Sequence, residues 1–356
     1  MKKIVFCGGG TAGHVMPNIA LIEELIRKDY EIHYIGGKGI EKTILKNYPY
    51  VIYHEIESPK LIRKLTFKNL SIPFKLLKAI AHCKNILKEI KPNLIFSKGG
   101  YLSLPVVIAS KNIPVVGHES DYSMGLANKI IYKYTDKMFF SFKNVSKKYK
   151  KGEFSGSIIR KNIFNGNKEK AKQQLNITNN KKCILVIGGS TGAKSINNFI
   201  LNNLESLTKE YNIIHITGKN KNTNNQHCEK CPEWRIKNYT YYPVEYVEDI
   251  ENYITLADYI ISRAGSNAIF EFLALKKQMI LIPLPKDQSR GDQILNANYF
   301  YENGLAEVIP QNKLTIQLLN EKINLLKKNK NTYHKNMINF NSKNGTDIII
   351  NEILKY

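Results

Sequence analysis

The sequence is poor in the features that mark membrane-spanning, secreted or disulfide-linked chains. No apolar run approaches the roughly 18 residues that a membrane-spanning helix needs, and the apolar run near the N-terminus is too short for a signal-peptide core. Five cysteines are an odd number for a disulfide framework. Cys228 and Cys231 form a C-x-x-C pair with no second pair of zinc ligands nearby, so we interpret them as an incidental loop feature. We therefore expect a cytoplasmic protein that spans no membrane.

Acidic residues are also scarce, because 30 acids stand against 53 basic residues, for a formal net charge of +23. A surplus of this sign favours anionic partners such as nucleic acid, acidic lipid or a phosphorylated substrate. Polar loops rich in lysine and asparagine account for part of the surplus. Charge alone therefore does not choose among these partners.

The 356 residues exceed one ordinary core and carry the same order of elements twice. A strand after Lys2 and a strand after Lys181 each run into glycines, and a helix with apolar residues every three or four positions follows. Each helix is followed by another strand, which makes a βαβ opening. The pattern predicts an α/β protein with two Rossmann-like domains, at 1–162 and 163–335. The last segment, 336–356, is helical in pattern, and the pattern alone assigns it to neither half.

The first glycine turn carries a dinucleotide fingerprint, since Gly8, Gly10 and Gly13 satisfy G-x-G-x-x-G. Such glycines let backbone amides at a helix N-terminus approach a pyrophosphate. A nicotinamide cofactor would also need an acid at the end of the second strand. In the first half that strand ends in Gly36 and Gly37, and the second half likewise has no acid at this point. The sequence therefore disfavours a dehydrogenase and favours another nucleotide ligand.

Three more glycine-containing turns follow strands, at 97–101, 188–190 and 262–267. In a parallel sheet they all belong to the edge where ligands bind. Arg263 stands in the last turn, directly before a helix start, and that combination favours an anionic group. No D-x-D triplet occurs in the chain. We therefore expect no metal, and a leaving diphosphate would be stabilised by helix dipoles and basic side chains.

These motifs together resemble the MurG family, the UDP-N-acetylglucosamine:undecaprenyl-diphospho-muramoyl-pentapeptide N-acetylglucosaminyltransferases of peptidoglycan synthesis. The segments GGGTAGHVMPNIA, KGGYLSLPVVIAS, GHES, GSIIR, GGSTGAKSIN, SRAGSNAIFE and SRGDQILNA follow the family's order along essentially the whole chain. The resemblance implies a GT-B fold with two parallel sheets facing a central cleft. It implies that the carboxyl half holds UDP-GlcNAc, that the amino half takes the lipid-linked acceptor, lipid I, and that 336–356 returns to the first domain. It further implies an inverting transfer that gives lipid II without a cofactor.

The resemblance also assigns roles to single residues. His14 is the candidate base for the acceptor hydroxyl, a task that suits an imidazole with its ordinary pKa of ~6.5. Glu119 is the rival base or the group that orients the base. The remaining matches are to positions that contact UDP-GlcNAc: Thr11, Ala12, Gly13, Arg160, Ser190, Val247 for uracil, Gly265 and Ser266 for the pyrophosphate, Glu271 for the ribose, and Gln293 for the sugar. Asp121 departs from the family, which often has asparagine there, so its contact with substrate is an open question.

A basic segment with interleaved aliphatic residues covers 60–91, where nine Lys or Arg stand against one acid, Glu89. Its later part has helical spacing and predicts a helix that packs on the sheet. Its earlier part, PKLIRKLTFKNLSIPF, is typical of a surface that enters anionic headgroups. We therefore expect a peripheral protein on the cytoplasmic face of the cell membrane.

Other functions fit parts of the same pattern. A diacylglycerol glycosyltransferase or a UDP-GlcNAc 2-epimerase would share the GT-B fold. A basic nucleic-acid binder belongs to a different class, and we disfavour it because the basic run is interleaved with aliphatic residues rather than with aromatic rings that stack on bases.

Overall fold

Both halves of the chain fold as parallel α/β units in a computed structural model that describes residues 1–60, 71–189, 192–218, 240–340 and 343–356. The first unit comprises Met1–Arg160 with Ser342–Tyr356, and the second comprises Lys161–Asn341. Within the described ranges, no helix is long and apolar enough to cross a bilayer.

The first unit is built on a seven-stranded parallel sheet, counted over the described residues, in the order β3-β2-β1-β4-β5-β6-β7. The strands are β1 Lys2–Cys7, β2 Tyr30–Gly36, β3 Val51–Glu55, β4 Leu94–Ser97, β5 Val115–Glu119, β6 Lys137–Phe140 and β7 Gly152–Phe154. The helices are α1 Ala12–Leu25, α2 Ile40–Leu45, α3 Ile72–Ile90, α4 Ser103–Ala109, α5 Leu126–Tyr134 and α6 Lys143–Ser146. The last four residues of β1 are fully buried, as expected of a strand in a sheet covered on both faces.

The second unit repeats the plan with six parallel strands among its described residues, in the order β10-β9-β8-β11-β12-β13. The strands are β8 Lys182–Ile187, β9 Tyr211–Ile216, β10 Tyr241–Val244, β11 Tyr259–Ser262, β12 Gln278–Leu281 and β13 Glu307–Val308. The helices are α7 Lys168–Leu175, α8 Lys194–Asn202, α9 Leu204–Glu210, α10 Ile250–Leu256, α11 Ser266–Ala274, α12 Asp292–Glu302, α13 Ile316–Lys328 and α14 Lys330–Asn339.

The chain end, α15 at Gly345–Ile353, packs in the first unit, where Ile349 and Ile353 join the core beside α1. Thr346 fixes this return, because its Oγ1 accepts from the Ile159 amide at 3.0 Å and donates to the Ile159 carbonyl at 2.8 Å. The expected start of the returning segment, at 336, differs from the structure. Helix α14 belongs to the second unit, where the side-chain amide of Asn336 donates to the Gly304 carbonyl at 3.1 Å.

Cys7, Cys83 and Cys183 are buried free thiols. The pair Cys228 and Cys231 lies outside the described residues, as do 61–70, the centre of the expected membrane-facing segment.

Candidate functional site

Each sheet has one point where the strand order reverses, and a glycine turn stands on either side of it. In the first unit β1 and β4 are neighbours, followed by the turns at 8–11 and 98–102. In the second unit β8 and β11 are neighbours, followed by the turns at 188–193 and 263–265. Loops that leave such a point in opposite directions open a crevice at the carboxyl ends of the strands. The sequence repeat therefore places a candidate site in each unit.

The first turn is filled by the side chain of Glu41, which is completely buried at the start of α2. The Gly10 amide donates to its Oε2 and the Gly37 amide donates to its Oε1, both at 3.0 Å. A Cβ on Gly9 would lie 2.7 Å from the Glu41 Cδ and 2.7 Å from a methyl group of Leu102. One of the amides that the fingerprint offers to a phosphate, that of Gly10, is thus already bonded within the protein.

Side-chain hydrogen bonds also hold the rest of this turn. The Tyr34 hydroxyl donates to the Gly8 carbonyl at 2.8 Å, and the Asn18 amide donates to the Tyr34 oxygen at 3.1 Å. The Tyr101 ring lies against Gly10, where a Cβ would approach it to 2.8 Å. The shape of the first turn is therefore set by the protein itself.

His14 lies in the first turn of α1 and is half-buried. Its ring packs against Gly100 of the β4 turn, because a Cβ on Gly100 would lie 3.3 Å from both Nε2 and Cδ2 of the histidine. Gly100 has a φ of +85°, a conformation that glycine adopts without strain. The two turns of the first unit thus meet at the histidine that the sequence proposes as a base.

Glu119, the rival base, is buried and bonded within its own loop. Its Oε1 accepts from the Asp121 amide at 3.0 Å, and its Oε2 accepts from the Asn128 side chain at 2.8 Å and from the Gly125 amide at 3.3 Å. Burial raises the pKa of Glu119, and the negative charge of Asp121 raises it further. The carboxylate is arranged to hold the 119–125 loop, and Asp121 contributes its backbone amide to that arrangement.

A buried lysine supports the same loop. Lys98 is 2% exposed, and its Nζ donates to the Ser120 hydroxyl at 2.5 Å. Burial lowers the pKa of Lys98 to about 8, while the charges of Glu119 and Asp121 act in the opposite direction. This ammonium group therefore connects the β4 turn to the loop after β5.

The turns of the second unit border a cavity of about 560 Å³. Its lining contains two basic residues and, over the described residues, no acid. The lining includes Gly188, Gly192, Lys194, Arg263, Gln293 and Gln311. A basic, glycine-edged cavity at the strand ends is suited to an anionic ligand.

Arg263 is 8% exposed and anchored inside the protein. Its guanidinium donates to the Ile282 carbonyl at 3.0 Å, to the Ser195 hydroxyl at 2.8 Å and to the Gln311 side-chain oxygen at 2.6 Å. These bonds connect the turn after β11 to the start of α8. Arg263 therefore gives the cavity a fixed positive charge as well as holding its two edges together.

Two glycines of these turns face open space. In the described part of the chain, apart from chain neighbours, no atom would lie within 4 Å of a Cβ on Gly189 or on Gly265. Gly265 caps α11, whose first residue is the buried Ser266, and Glu271 lies half-buried further along the same helix. The amides at this helix start can be approached closely by a ligand.

The other predicted donor contacts are distributed along the chain. The Oε1 of Gln293 accepts from the Leu284 amide at 3.0 Å, which fixes its side chain at the cavity. Val247 is half-buried in the segment between β10 and α10. Arg160 is the last residue of the first unit before the chain enters the second. It lies near Tyr48: burial raises the pKa of this tyrosine, and the charge of Arg160 acts in the opposite direction. Thr11, Ala12 and Gly13 begin α1, and Ser190 lies outside the described residues.

Glu41 and Lys98, two buried charged residues beside the glycine turns of the first unit, were not predicted as site residues. The available signal for Glu41 was a single acid among Gly36, Gly37 and Gly39. Lys98 stands directly after a strand and before Gly99 and Gly100, and its sequence position gave no signal of burial. Over the described residues, no group of three or more His, Cys, Asp or Glu could hold a metal ion.

Comparisons with known proteins match both units. Residues 4–140 match the glycosyltransferase family 28 N-terminal domain, and residues 183–351 match its C-terminal domain. A UDP-N-acetylglucosamine--N-acetylmuramyl-(pentapeptide) pyrophosphoryl-undecaprenol N-acetylglucosamine transferase of Clostridium botulinum is 48% identical, over 99% of this chain and 98% of its own length. The enzyme of the same name from Staphylococcus aureus strain RF122 is 41% identical, over 100% and 99%.

A crystal structure of Acinetobacter baumannii MurG has the same fold, with a TM-score of 0.77, 24% identity and complete coverage of both chains. The prediction of two Rossmann-like domains with parallel sheets, as in the GT-B class, is thereby confirmed.

Proposed function

Because the chain belongs to glycosyltransferase family 28, and within it to the N-acetylglucosamine transferases just described, we propose that it moves N-acetylglucosamine from UDP-GlcNAc to lipid I, the undecaprenyl-diphosphate-linked muramoyl-pentapeptide, giving lipid II. The observation that carries this proposal is the contrast between the turns of the two units. The second unit has a basic cavity lined in part by Gly188 and Gly192, and Gly189 and Gly265 of its turns face open space. The first unit has a closed turn that presents a half-buried histidine.

The donor is held by the second unit. The amides at the start of α11 and its helix dipole stabilise the diphosphate, and the nearby charges of Arg263 and Lys194 add to this. Glu271 accepts from the ribose hydroxyls, Gln293 reads the hydroxyls of the sugar, and the backbone at Val247 recognises uracil. Gly265 and Ser266 supply the pyrophosphate contacts, and the resemblance to the family also assigns a nucleotide contact to Ser190.

The reaction is a single displacement with inversion. The acceptor hydroxyl attacks the anomeric carbon, the bond to the UDP oxygen breaks, and the hydroxyl proton passes to His14. We assign the base role to His14 rather than to Glu119, because the Glu119 carboxylate is buried and accepts hydrogen bonds from the Asp121 and Gly125 amides and from the Asn128 side chain. Glu119 is then the residue that holds the 119–125 loop in place.

A transfer assay tests this function directly. Purified protein is incubated with radiolabelled UDP-GlcNAc, with and without a lipid I analogue. We expect a labelled lipid product and free UDP only when the acceptor is present. Formation of an epimer of UDP-GlcNAc without acceptor would instead identify an epimerase, and transfer to diacylglycerol would identify a lipid glycosyltransferase.

The acceptor is lipid-linked, so we also propose reversible docking on the cytoplasmic face of the membrane. Helix α3 buries one face against the sheet, at Ala79, Cys83 and Leu87. Its first turns expose Phe74 by 76% and Leu77 by 63%, next to Lys75 and Lys78. Apolar side chains flanked by lysines are suited to anionic headgroups, where each basic residue contributes ~1 kcal/mol.

Vesicle sedimentation tests the docking proposal. The wild-type protein should sediment with vesicles that contain phosphatidylglycerol and much less with pure phosphatidylcholine vesicles. The double variant Phe74→Ser, Leu77→Ser should sediment less while its affinity for UDP-GlcNAc is unchanged. Ile338→Ser is a matched control, because Ile338 is 57% exposed in the second unit. Equal sedimentation of all three proteins would contradict the assigned surface.

A further inference from the structure

The carboxylate of Glu41 sits in a cradle made of glycines. A Cβ on Gly9 would lie 2.9 Å from its Oε1, a Cβ on Gly37 would lie 3.1 Å from the same oxygen, and a Cβ on Gly39 would lie 3.0 Å from its Oε2. A Cβ on Gly36 would lie 3.0 Å from the Glu41 Cγ. Each glycine thus leaves the space that this one side chain occupies.

The cradle also supplies hydrogen bonds of the kind that bind a phosphate. The amides of Gly10 and Gly37 each donate to a different carboxylate oxygen at 3.0 Å. Gly10 lies directly before Thr11, the cap of α1, where the helix N-terminus favours a negative group. Glu41 is 0% exposed, so its carboxylate lies inside the cradle.

The bonded amides belong to two different turns. Gly10 directly precedes Thr11, which caps α1, the helix that carries His14 in its first turn. Gly37 follows β2, and its carbonyl accepts from the Tyr53 hydroxyl of β3. Glu41 therefore ties the start of α1 to the neighbouring strands. A helix start fixed in this way sets where the histidine ring lies against Gly100.

We propose that Glu41 is a positioning residue: its carboxylate ties the Gly10 amide to the Gly37 amide and thereby holds the start of α1, with His14, in its reactive position. The inference rests on the proposed function for its kinetic consequence.

Chemical rescue tests the proposal. In Glu41→Ala a small carboxylate can enter the emptied cradle, so kcat should fall about 100-fold and sodium formate should restore much of it. Sodium chloride at equal ionic strength should not. The affinity for UDP-GlcNAc should stay unchanged in both salts, because the donor cavity belongs to the second unit. Glu307→Ala is the matched control, since Glu307 is a buried carboxylate of the second unit bonded to Lys322. Formate should not raise its activity.

A second variant and a spectroscopic readout keep the test independent of folding and of the assay. Glu41→Gln keeps the side-chain shape but can offer only one acceptor oxygen, so it should lose activity without response to formate. In protein labelled with ¹⁵N-glycine, which gives at most 22 signals, the Gly10 and Gly37 amide resonances should move upfield in Glu41→Ala and return with formate. Full activity of Glu41→Ala, or amide signals that do not respond to formate, would overturn the inference. Absence of transfer by the wild type would instead contradict the proposed function, and the amide signals would still test the cradle.

Discussion

The first and second glycine turns are alike in sequence and opposite in what surrounds them. In the first, a Cβ on Gly9 or Gly10 would collide with Glu41, Leu102 or Tyr101. In the two turns of the second unit, a Cβ on Gly189 or on Gly265 would lie within 4 Å of no atom in the described ranges, chain neighbours aside. The repeat therefore specifies a backbone shape, and the side chains from neighbouring turns determine whether that shape can accept a ligand.

A second difference concerns a buried asparagine that stands five residues after the last glycine of the turn in each unit. Asn18 donates to the Tyr34 hydroxyl at 3.1 Å. Asn197 donates to the Thr217 carbonyl at 2.9 Å, and its side-chain oxygen lies 3.1 Å from Nε2 of His215. The partner is thus a tyrosine in one unit and a histidine in the other. Of these two partners, the histidine is the one whose ordinary pKa lies near 6.5, so it can make stability depend on pH in mild acid.

Replacing His14 by alanine should give the largest effect, because it removes the proposed base from the first turn. General-base catalysis contributes ~10²- to 10⁴-fold, so kcat should fall by about that factor. The dissociation constant for UDP-GlcNAc, measured by calorimetry, should change less than about twofold, since the donor is held by the second unit. A large loss of donor affinity with unchanged kcat would place the donor diphosphate on the first turn and reverse the comparison. Glu119→Gln measured beside it distinguishes the two candidate bases.

Gly9→Ala tests whether the first turn is as closed as its contacts indicate. The new Cβ would lie 2.7 Å from both the Glu41 Cδ and the Leu102 methyl group, and Glu41 is held by two hydrogen bonds. Overpacking of this kind costs up to about 3 kcal/mol, and urea unfolding should report a loss of that size. Donor affinity should be unchanged. A Gly9→Ala protein of wild-type stability would show that the turn has room for a ligand.

Much of this comparison could be predicted from the sequence, but one part could not. The order of residue types was enough to predict two parallel α/β domains from the strand-glycine-helix repeat. The absence of an acid at the end of the second strand was enough to disfavour a nicotinamide cofactor. The contact of Glu41 with the first turn could not be predicted in this way. The Gly10 amide donates to Glu41, and the two residues are 31 positions apart in the sequence. Local periodicity reports which residues form a helix or strand, whereas this contact depends on how β1 and β2 lie side by side.

His215→Gln tests the difference in acid response. Burial lowers the pKa of His215 to about 3 from an ordinary 6.5, so below pH 6.5 the unfolded chain binds a proton that the folded chain does not. The wild-type free energy of unfolding should therefore fall as the pH drops. Between pH 7 and 5 this group should account for a loss of about 2 kcal/mol, measured by urea unfolding, and the glutamine variant should lack it. Tyr34→Phe in the first unit is the control, because it should leave the pH dependence as it is in the wild type. An unchanged pH profile in His215→Gln would contradict the assigned titration.

Gly265→Ala should give the smallest effect and the most selective one. Its φ of −70° suits alanine, and a Cβ would point into open space, so the free energy of unfolding should change by less than about 1 kcal/mol, as expected for a helix-cap change from glycine. The same methyl group would stand where the donor diphosphate approaches the start of α11, so affinity for UDP-GlcNAc should weaken about tenfold, which corresponds to ~1.4 kcal/mol. Calorimetric titration and urea unfolding on one preparation measure both quantities. The two alanine variants should therefore give opposite results: Gly9→Ala should lose stability and keep its affinity for UDP-GlcNAc, and Gly265→Ala should keep stability and lose affinity. If Gly265→Ala instead bound UDP-GlcNAc as tightly as the wild type, the open turn of the second unit would not be where the diphosphate is held.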